Sequence, residues 1–380
     1  MTRKKNIALV NRTNLKNYGS VLQVYALCHA VRNLGYDSEI VWESGNMSRN
    51  YDIRPNKIIK TGLKLLCHPS LLASTLKTIK EVKAVKVDES KIALFDDFVA
   101  KHIDQTLYPH DDLVKVAASD KYDKFIVGSD QIWCTTTLYV DPMMYLRFAP
   151  KDKRIAYAPS LGRDYVPGYN KRTMRNYIND IPCVSVREDK GRELIKELTG
   201  RDVPVVLDPS LLLTSEDWNK LKAEVETPSR YILCYFLDEP SEQLKNSIMA
   251  FAKEKGLFIF ALGQFGNFTH PEVSVYYPAT GPCEFLDYVS KATVVITDSY
   301  HGMLFSINYK KCFWAVARDY KQFDQSSRHQ TVLKRLDLEN RYLTSQFNFT
   351  LDEIDYDKVR KIIDADRAFS LNYLKESIEK

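Results

Sequence analysis

Short apolar runs rich in β-branched residues alternate along this chain with longer stretches in which apolar positions recur every three or four residues. Such runs suit strands covered on both faces, and such stretches suit helices laid against a sheet. Residues 5–11 read as a first strand, residues 21–34 as a helix stopped by Gly35, and residues 38–43 as a second strand. The rhythm continues with a strand ending at Val127, strands at 154–159, 183–187 and 203–207, and helices at 170–181 and 190–198. It restarts with a strand at 231–237, a helix at 241–255, a strand at 257–262 and a helix at 285–292. A strand at 293–297, a helix from Tyr300 and a strand at 312–317 make a further strand-helix-strand unit. Helices at 330–336, 352–364 and 367–379 complete the chain. Alternation on this scale predicts α/β architecture with parallel sheets.

A chain of 380 residues exceeds one comfortable hydrophobic core, so two domains are expected. The pattern divides into a first Rossmann-like domain over 1–210, a linker between 209 and 229, and a second over 229–345. Helices at 346–380 are expected to pack back on the first domain. The first domain carries a basic helical insertion over 51–105. There lysines 57, 60, 64, 77, 80, 83 and 86 alternate with Ile, Leu and Val, and Cys67-His-Pro-Ser70 divides two short amphipathic helices. A third helix at 86–103 would turn Ile92, Leu94, Phe95, Phe98 and Val99 inward. The basic stretch reads either as a solvated insertion or as a patch for an anionic membrane surface.

Composition narrows the class. Hydrophobic content of 44% and charged content of 27% are ordinary for a globular protein, and a net charge of +5 makes no case for nucleic acid. The cysteines at 28, 67, 134, 183, 234, 283 and 312 are scattered, odd in number and never spaced C-x-x-C, so neither a disulfide framework nor a zinc site is expected. The apolar run after the basic tip at Met1 is too short for a signal peptide, and no stretch approaches the roughly 20 apolar residues of a membrane span. The opening strand-helix-strand unit lacks G-x-G-x-x-G, which argues against a dinucleotide cofactor.

Candidate chemistry collects where strands end. At the tip of the 293–297 strand stand Asp298 and Ser299, both good N-caps, then His301 and Gly302 in the first helical turn. A helix N-terminus there offers free N–H groups and partial positive charge to an anion. After Val127 comes Gly128-Ser-Asp-Gln131, with Asp130 as either ligand contact or turn cap. Arg187 ends its strand just before a helix, a geometry suited to gripping phosphate or carboxylate; a surface network with Glu188 or Asp189 is the alternative. Gly19 permits close backbone approach and Ser20 reads as the N-cap of the first helix.

Four blocks together resemble the polysaccharide pyruvyltransferase family: Asn17-Tyr-Gly-Ser-Val-Leu-Gln23, Asp123-Lys-Phe-Ile-Val-Gly-Ser-Asp-Gln-Ile-Trp133, Val184-Ser-Val-Arg-Glu188 with Asp208-Pro-Ser210, and Thr297-Asp-Ser-Tyr-His-Gly302. The resemblance implies two Rossmann-like domains facing across a cleft, the glycosyltransferase-B arrangement. It implies transfer of a pyruvate group from phosphoenolpyruvate to a sugar of a cell-surface polysaccharide or its lipid-linked precursor, as a ketal, with no metal or other cofactor. Arg187 matches the family's arginine on phosphoenolpyruvate, and His301 its histidine. Ser299, Tyr300, Gly302 and Arg328 complete the expected donor side. Asp130 joins His301 as the expected catalytic pair, with exchangeable roles, and Asn17, Tyr18, Gly19, Ser20, Ser129 and Gln131 line the acceptor side. Where similar proteins carry an arginine two residues before the histidine, this chain has Ser299. Either Arg318, Lys321 or Arg328 replaces it, or the donor differs. The scattered cysteines point to a cytosolic protein, and the basic stretch leaves peripheral contact at the inner membrane face as one of its two readings. A sugar-nucleotide glycosyltransferase on the same scaffold, or a non-catalytic glycan-binding protein, are the other readings, since fold does not fix function.

Overall fold

Burial of both faces is what the apolar runs require, and two parallel sheets supply it. The structure is a computed structural model that describes residues 3–13, 16–44, 53–68, 89–266, 271–318 and 326–380. In the first lobe, β1 (Asn6–Val10) leads into α1 (Tyr18–Asn33) and β2 (Asp37–Glu43). Then follow α2 (Ile53–Cys67), α3 (Glu89–His102), β3 (Gln105–Tyr108), α4 (His110–Ala118) and β4 (Lys124–Val127). The lobe continues through β5 (Arg154–Ala156), α5 (Gly168–Asn179), β6 (Cys183–Val184) and α6 (Asp189–Thr199). Its sheet has the order β3-β2-β1-β4-β5-β6. Leu9 sits level with Ile40 on one side and Ile126 on the other, all fully buried.

After α7 (Ser215–Asn219), the second lobe runs β7 (Tyr231–Phe236), α8 (Glu242–Lys255), β8 (Phe258–Gly263), β9 (Val275–Tyr276), α9 (Pro282–Lys291) and β10 (Val294–Thr297). It ends with α10 (Tyr300–Asn308), β11 (Cys312–Val316), α11 (Ser327–Arg335), β12 (Tyr342–Leu343) and α12 (Tyr356–Glu379). Its order, β9-β8-β7-β10-β11-β12, repeats that of the first. Both are the strand order of a Rossmann fold, in which direction reverses beside the first strand.

Three sequence expectations change. Residues 105–108 are an edge strand, β3, rather than the end of an insertion. Gln-Thr-Leu-Tyr is half exposed there, so no buried apolar run announced it. Residues 209–229 are no bare linker. Asp208 caps a 3₁₀ turn at Pro209–Leu211, a Thr214–Asp217 capping box starts α7, and Trp218 is fully buried. The two C-terminal helices are one, α12, because nothing between 356 and 379 is Gly or Pro to break it. α12 joins both lobes. Leu207 N donates to Ser370 Oγ at 3.0 Å and Lys5 Nζ to Ile378 O at 3.0 Å, while Arg335 pairs with Asp366 at 2.6 Å.

The lobes share an apolar seam. Tyr18 of α1 stacks on Phe285 of α9 at 4.6 Å with rings 3° from parallel, and Phe285 meets Phe305 of α10 edge-on. One continuous buried cluster runs from Ile7 and Leu27 through Tyr18 and Phe95 to Met303 and Phe313.

Candidate active site

Each sheet opens a crevice where its strand order reverses, between β1 and β4 in the first lobe and between β7 and β10 in the second. The second lobe's crevice is built by short-range capping. Asp298 accepts from Leu237 N at 2.7 Å and Asp238 N at 3.0 Å, which ties the tip of β10 to the tip of β7. Ser299 caps α10, its Oγ accepting from Gly302 N at 3.3 Å. A Cβ on Gly302 would stand 2.6 Å from Thr297 Oγ1, so only glycine lets this turn close. His301 then points across to α1. A Cβ on Gly19 would lie 2.2 Å from the imidazole Cγ, so the ring rests on bare backbone of the other lobe.

On the first-lobe side Asn17, not Ser20, is the N-cap of α1, with Oδ1 accepting from Ser20 N at 3.1 Å. That frees the Ser20 hydroxyl to donate to Asp130 Oδ2 at 2.6 Å. Asp130 takes left-handed backbone at φ 64°, and Oδ1 accepts from Gln131 N at 2.8 Å. Ser129 is buried and donates to Ala158 O at 2.7 Å.

The two sides meet at one carboxylate. Arg187 Nη1 donates to Asp208 Oδ2 at 2.5 Å, and His301 Nε2 lies 3.6 Å from the same oxygen. Arg187 Nη2 is 3.4 Å from Asp130 Oδ1, and its guanidinium stands 4.8 Å from the centre of the Tyr300 ring. Burial works to raise the Asp208 carboxyl, but the nearby His301 and Arg187 charges outweigh it and hold Asp208 well below the carboxylate range. Asp130 is depressed in the same way, burial being overcome chiefly by Arg187 and His301. Burial also opposes the charge on Arg187, and Asp208 foremost restores it. Two buried nitrogens of this cluster, Arg187 Nε and His301 Nε2, make no hydrogen bond; the carboxylate oxygens paired with them lie 4.0 Å away on Glu188 and 3.6 Å away on Asp208. Unpaired polar atoms at such depth are costly, and they concentrate where a ligand completes the set.

The structure thus gathers His301, Arg187, Asp130, Gly19, Ser20 and Ser129, with Tyr300 beneath Arg187 and Arg328 5.5 Å from the Tyr300 ring centre. Arg187 joins no surface network: it is fully buried and paired with Asp208, and its Nε lies 4.0 Å from Oε2 of the equally buried Glu188. Tyr18 does not line the cleft. Its ring is core, and its hydroxyl donates to Thr280 O at 3.1 Å. Arg318 is held by Asp238 at 2.8 Å and Asp298 at 3.0 Å, and Lys321 lies outside the described residues. That leaves Arg328 as the guanidinium beside Tyr300 on the second-lobe side.

Sequence reasoning did not give weight to Asp208 or His329. The signal for Asp208 was its place before Pro-Ser after the strand expected at 203–207, which the structure reduces to a single bridge between Val205 and Val186. His329 is buried edge-on to Tyr300 at 5.6 Å, with neither ring nitrogen hydrogen-bonded, and burial together with Arg328, Arg318, Arg187 and His301 holds it neutral. A cavity of about 1030 Å³ between α6, α11 and α12 reaches Arg187, Asp208 and Tyr300. Among the described residues, no cluster of three or more His, Cys, Asp or Glu side chains could hold a metal, and no helix is long and apolar enough to cross a membrane.

Of the basic stretch, α2 is described. Lys64 Nζ donates to Leu138 O at 2.5 Å and Asn170 Oδ1 at 2.8 Å, docking the helix on the first lobe, while Ile59, Leu63 and Leu66 stay exposed. Residues 69–88, which include Lys77, Lys80, Lys83 and Lys86, lie outside the described residues.

Two Rossmann lobes with their reversal points turned toward each other define a protein of the glycosyltransferase-B class. Solved structures of similar shape include UDP-GlcNAc 2-epimerase from Neisseria meningitidis bound to UDP-GlcNAc, with 11% identity, a TM-score of 0.46, and 95% of this chain and 90% of that one covered. Arabidopsis thaliana UGT89C1 complexed with UDP-L-rhamnose gives 11%, 0.48, 99% and 94%. The glycosyltransferase SnogD from Streptomyces nogalater gives 9%, 0.42, 100% and 96%. No curated protein matches the sequence significantly. The model of the polysaccharide pyruvyl transferase family matches residues 17–320, and the chain belongs to that family. It is a transferase.

Proposed function

We propose that this protein moves a pyruvate group from phosphoenolpyruvate to two hydroxyls of a sugar in a cell-surface polysaccharide or its lipid-linked precursor, releasing phosphate. The observation that carries this reading is the meeting of Arg187 and His301, from opposite lobes, each with a buried nitrogen that makes no hydrogen bond. A small dianion bearing phosphate and carboxylate close together suits that pair, with the N-terminus of α10 adding partial positive charge.

The chemistry balances without a further reactant. A proton adds to C3 of the enol and positive character builds at C2. A sugar hydroxyl attacks C2 and loses its proton, the C2–O bond to phosphate breaks, and a second hydroxyl closes the ketal. Of the two hydroxyl protons, one replaces that spent on C3 and the other leaves with phosphate. His301 either pairs with phosphate or delivers a proton to the leaving oxygen, and Asp130 accepts from an incoming hydroxyl. Attack on an electron-poor carbon asks little of a base, which fits a carboxylate held below its usual range. Arg328 takes the part of the arginine absent at Ser299. No metal or cofactor has a part in this scheme. The exposed Ile59, Leu63 and Leu66 of α2, beside a docked Lys64, suit peripheral contact with the cytoplasmic membrane face, where lipid-linked acceptors would be met.

Melting of the full chain with phosphoenolpyruvate against UDP- and GDP-sugars tests the donor. Phosphoenolpyruvate is expected to raise the transition, and phosphate is expected to be released when a sugar acceptor is added. Stabilisation by a sugar nucleotide alone would move the protein to the glycosyltransferase reading. Phosphoenolpyruvate binding with no phosphate release from any acceptor would make it a binding protein.

A further inference from the structure

Two helices of the second lobe begin at the carboxyl ends of neighbouring strands, α10 after β10 and α11 after β11. Sheets of this order take ligands at such ends, and helix N-termini there favour anions. The two starts differ. Ser299 caps α10, whereas the first turn of α11 is not closed by its own N-cap, and Ser326 Oγ accepts from Gln330 Nε2 at 3.0 Å instead.

His329 stands in that first turn. It is 3% exposed, and neither ring nitrogen makes a hydrogen bond. Its ring meets Tyr300 edge-on at 5.6 Å and Tyr342 of β12 at 5.6 Å. Two idle nitrogens at such depth are costly, and a ligand that engages them removes the cost.

Tyr300 joins this turn to the Arg187–His301 cluster. Its ring centre lies 4.8 Å from the Arg187 guanidinium, 5.5 Å from that of Arg328 and 5.4 Å from the His301 ring centre. The cavity of about 1030 Å³ that reaches Arg187 and Tyr300 continues along α11 at Thr331 and Val332. A ligand with one acidic group at Arg187 and His301 therefore sets a second one toward Arg328 and His329.

The charged and titratable groups nearest His329 are basic: Arg328 on α11 itself, Arg318 after β11, Arg187 from the first lobe and His301 on α10. Burial foremost, then these groups, keep it neutral in the free protein. The carboxylates of the region are engaged by arginines, Asp298 and Asp238 by Arg318, Asp208 and Asp130 by Arg187. Two further elements pack on α11. From α6, Asp189 N donates to Thr331 Oγ1 at 3.2 Å, and in the turn before β12, Arg341 is laid on Trp314 at 4.8 Å. An arriving anion reverses the local balance and favours the imidazolium.

We infer that the first turn of α11 is a carboxylate subsite, where Arg328 and His329 hold the donor's carboxylate while Arg187 and His301 hold its phosphate, and where His329 takes up a proton as the carboxylate arrives. The subsite rests on the transferase reading for the identity of the donor. The proton comes from solvent and returns to it when the ligand leaves.

Nitrogen-15 NMR of the imidazole rings in the full-length protein tests it, with the His329 signal assigned by its loss in His329→Phe. At about pH 7.5 the signal is expected to be that of a neutral ring without ligand and of an imidazolium with saturating phosphoenolpyruvate. His329→Phe is also expected to raise KM for phosphoenolpyruvate about tenfold with a smaller change in kcat, and His329→Gln, which keeps a hydrogen-bond donor, to fall between it and wild type. Where the phenylalanine variant does not fold, His329→Gln makes the assignment. A ring already charged in the free protein, or one that stays neutral while phosphoenolpyruvate raises the melting temperature, overturns the subsite and leaves the donor reading in place. If phosphoenolpyruvate neither stabilises the protein nor moves the signal, pyruvate alone, a carboxylate without phosphate, decides. A signal that pyruvate moves keeps the subsite and defeats the donor assignment, and one that it does not move defeats both.

Discussion

His301 depends on a residue that carries no side chain. Its ring occupies the space where a Cβ of Gly19 would be, 2.2 Å from the imidazole. Gly19→Ala is expected to displace the ring and to cost most of the turnover, while circular dichroism stays close to wild type; full activity would show that the imidazole position does not matter. His301→Ala is expected to lower phosphate release about 100-fold or more, the scale of a lost proton-transfer or charge-pairing group. Arg187 needs a gentler probe. Truncation to Ala would strand the buried Asp208 charge, a loss of about 3–5 kcal/mol that confounds activity with stability. Arg187→Lys keeps the charge but loses the planar fork and Nε, and is expected to fold and to lose turnover. Acid sensitivity has a residue-scale source in His329. Burial lowers its folded pKa below the unfolded value near 6.5, so the unfolded state binds more protons as the solution turns acidic. Its contribution to stability is whole above about pH 6.5 and falls by up to about 1.4 kcal/mol per pH unit below it. The drop in urea midpoint between pH 7.5 and 5.5 is expected to shrink in His329→Phe.

At the scale of elements, capping and packing were unequally visible. Ser299 before Tyr-His-Gly marks the start of α10 from sequence, because a cap and its helix are neighbours in the chain. Ser20 misled in the same way. Both Asn17 and Ser20 can cap, and the choice fell to Asn17 because Asp130, 110 residues away, takes the Ser20 hydroxyl. β3 escaped because an edge strand needs no apolar run, and α12 looked like two helices because its acidic middle, Asp364-Ala-Asp366, resembles a break. Tyr18 was read as cleft-lining, yet it is the pin between α1 and α9. Tyr18→Ala is expected to cost about 3 kcal/mol in chemical denaturation, and a loss under 1 kcal/mol would refute that role. The exposed face of α2 belongs to this scale too. Leu63→Glu with Leu66→Glu is expected to abolish co-sedimentation with vesicles of anionic phospholipid; equal binding by the variant would remove α2 from any membrane contact.

At the scale of the molecule, two repeated sheets are fused rather than merely juxtaposed. The buried cluster that contains Ile7 and Leu27 also contains Phe285, Met303 and Phe313, and α12 bonds to both lobes. Calorimetry of the free protein is expected to show one cooperative transition, since one buried cluster spans both lobes although each lobe also has a cluster of its own. Two resolved transitions would mean that the seam contributes little.

The chain's own pattern determined the central strands of both sheets, most of its helices and the strand tips that carry polar residues, because periodicity and capping act over a few neighbouring residues; the short strands β3, β9 and β12 carry no such run. It also determined that His301 follows a cap; the strand expected at 183–187 stops at Val184, and Arg187 stands beyond it just before α6. Tertiary structure decided which tips meet. It brought Arg187 and His301 to the same oxygen of Asp208, set Asp130 beside Arg187, and withdrew Tyr18 into the seam. Those outcomes depend on packing between residues from 21 to 262 positions apart, about which local periodicity carries no information.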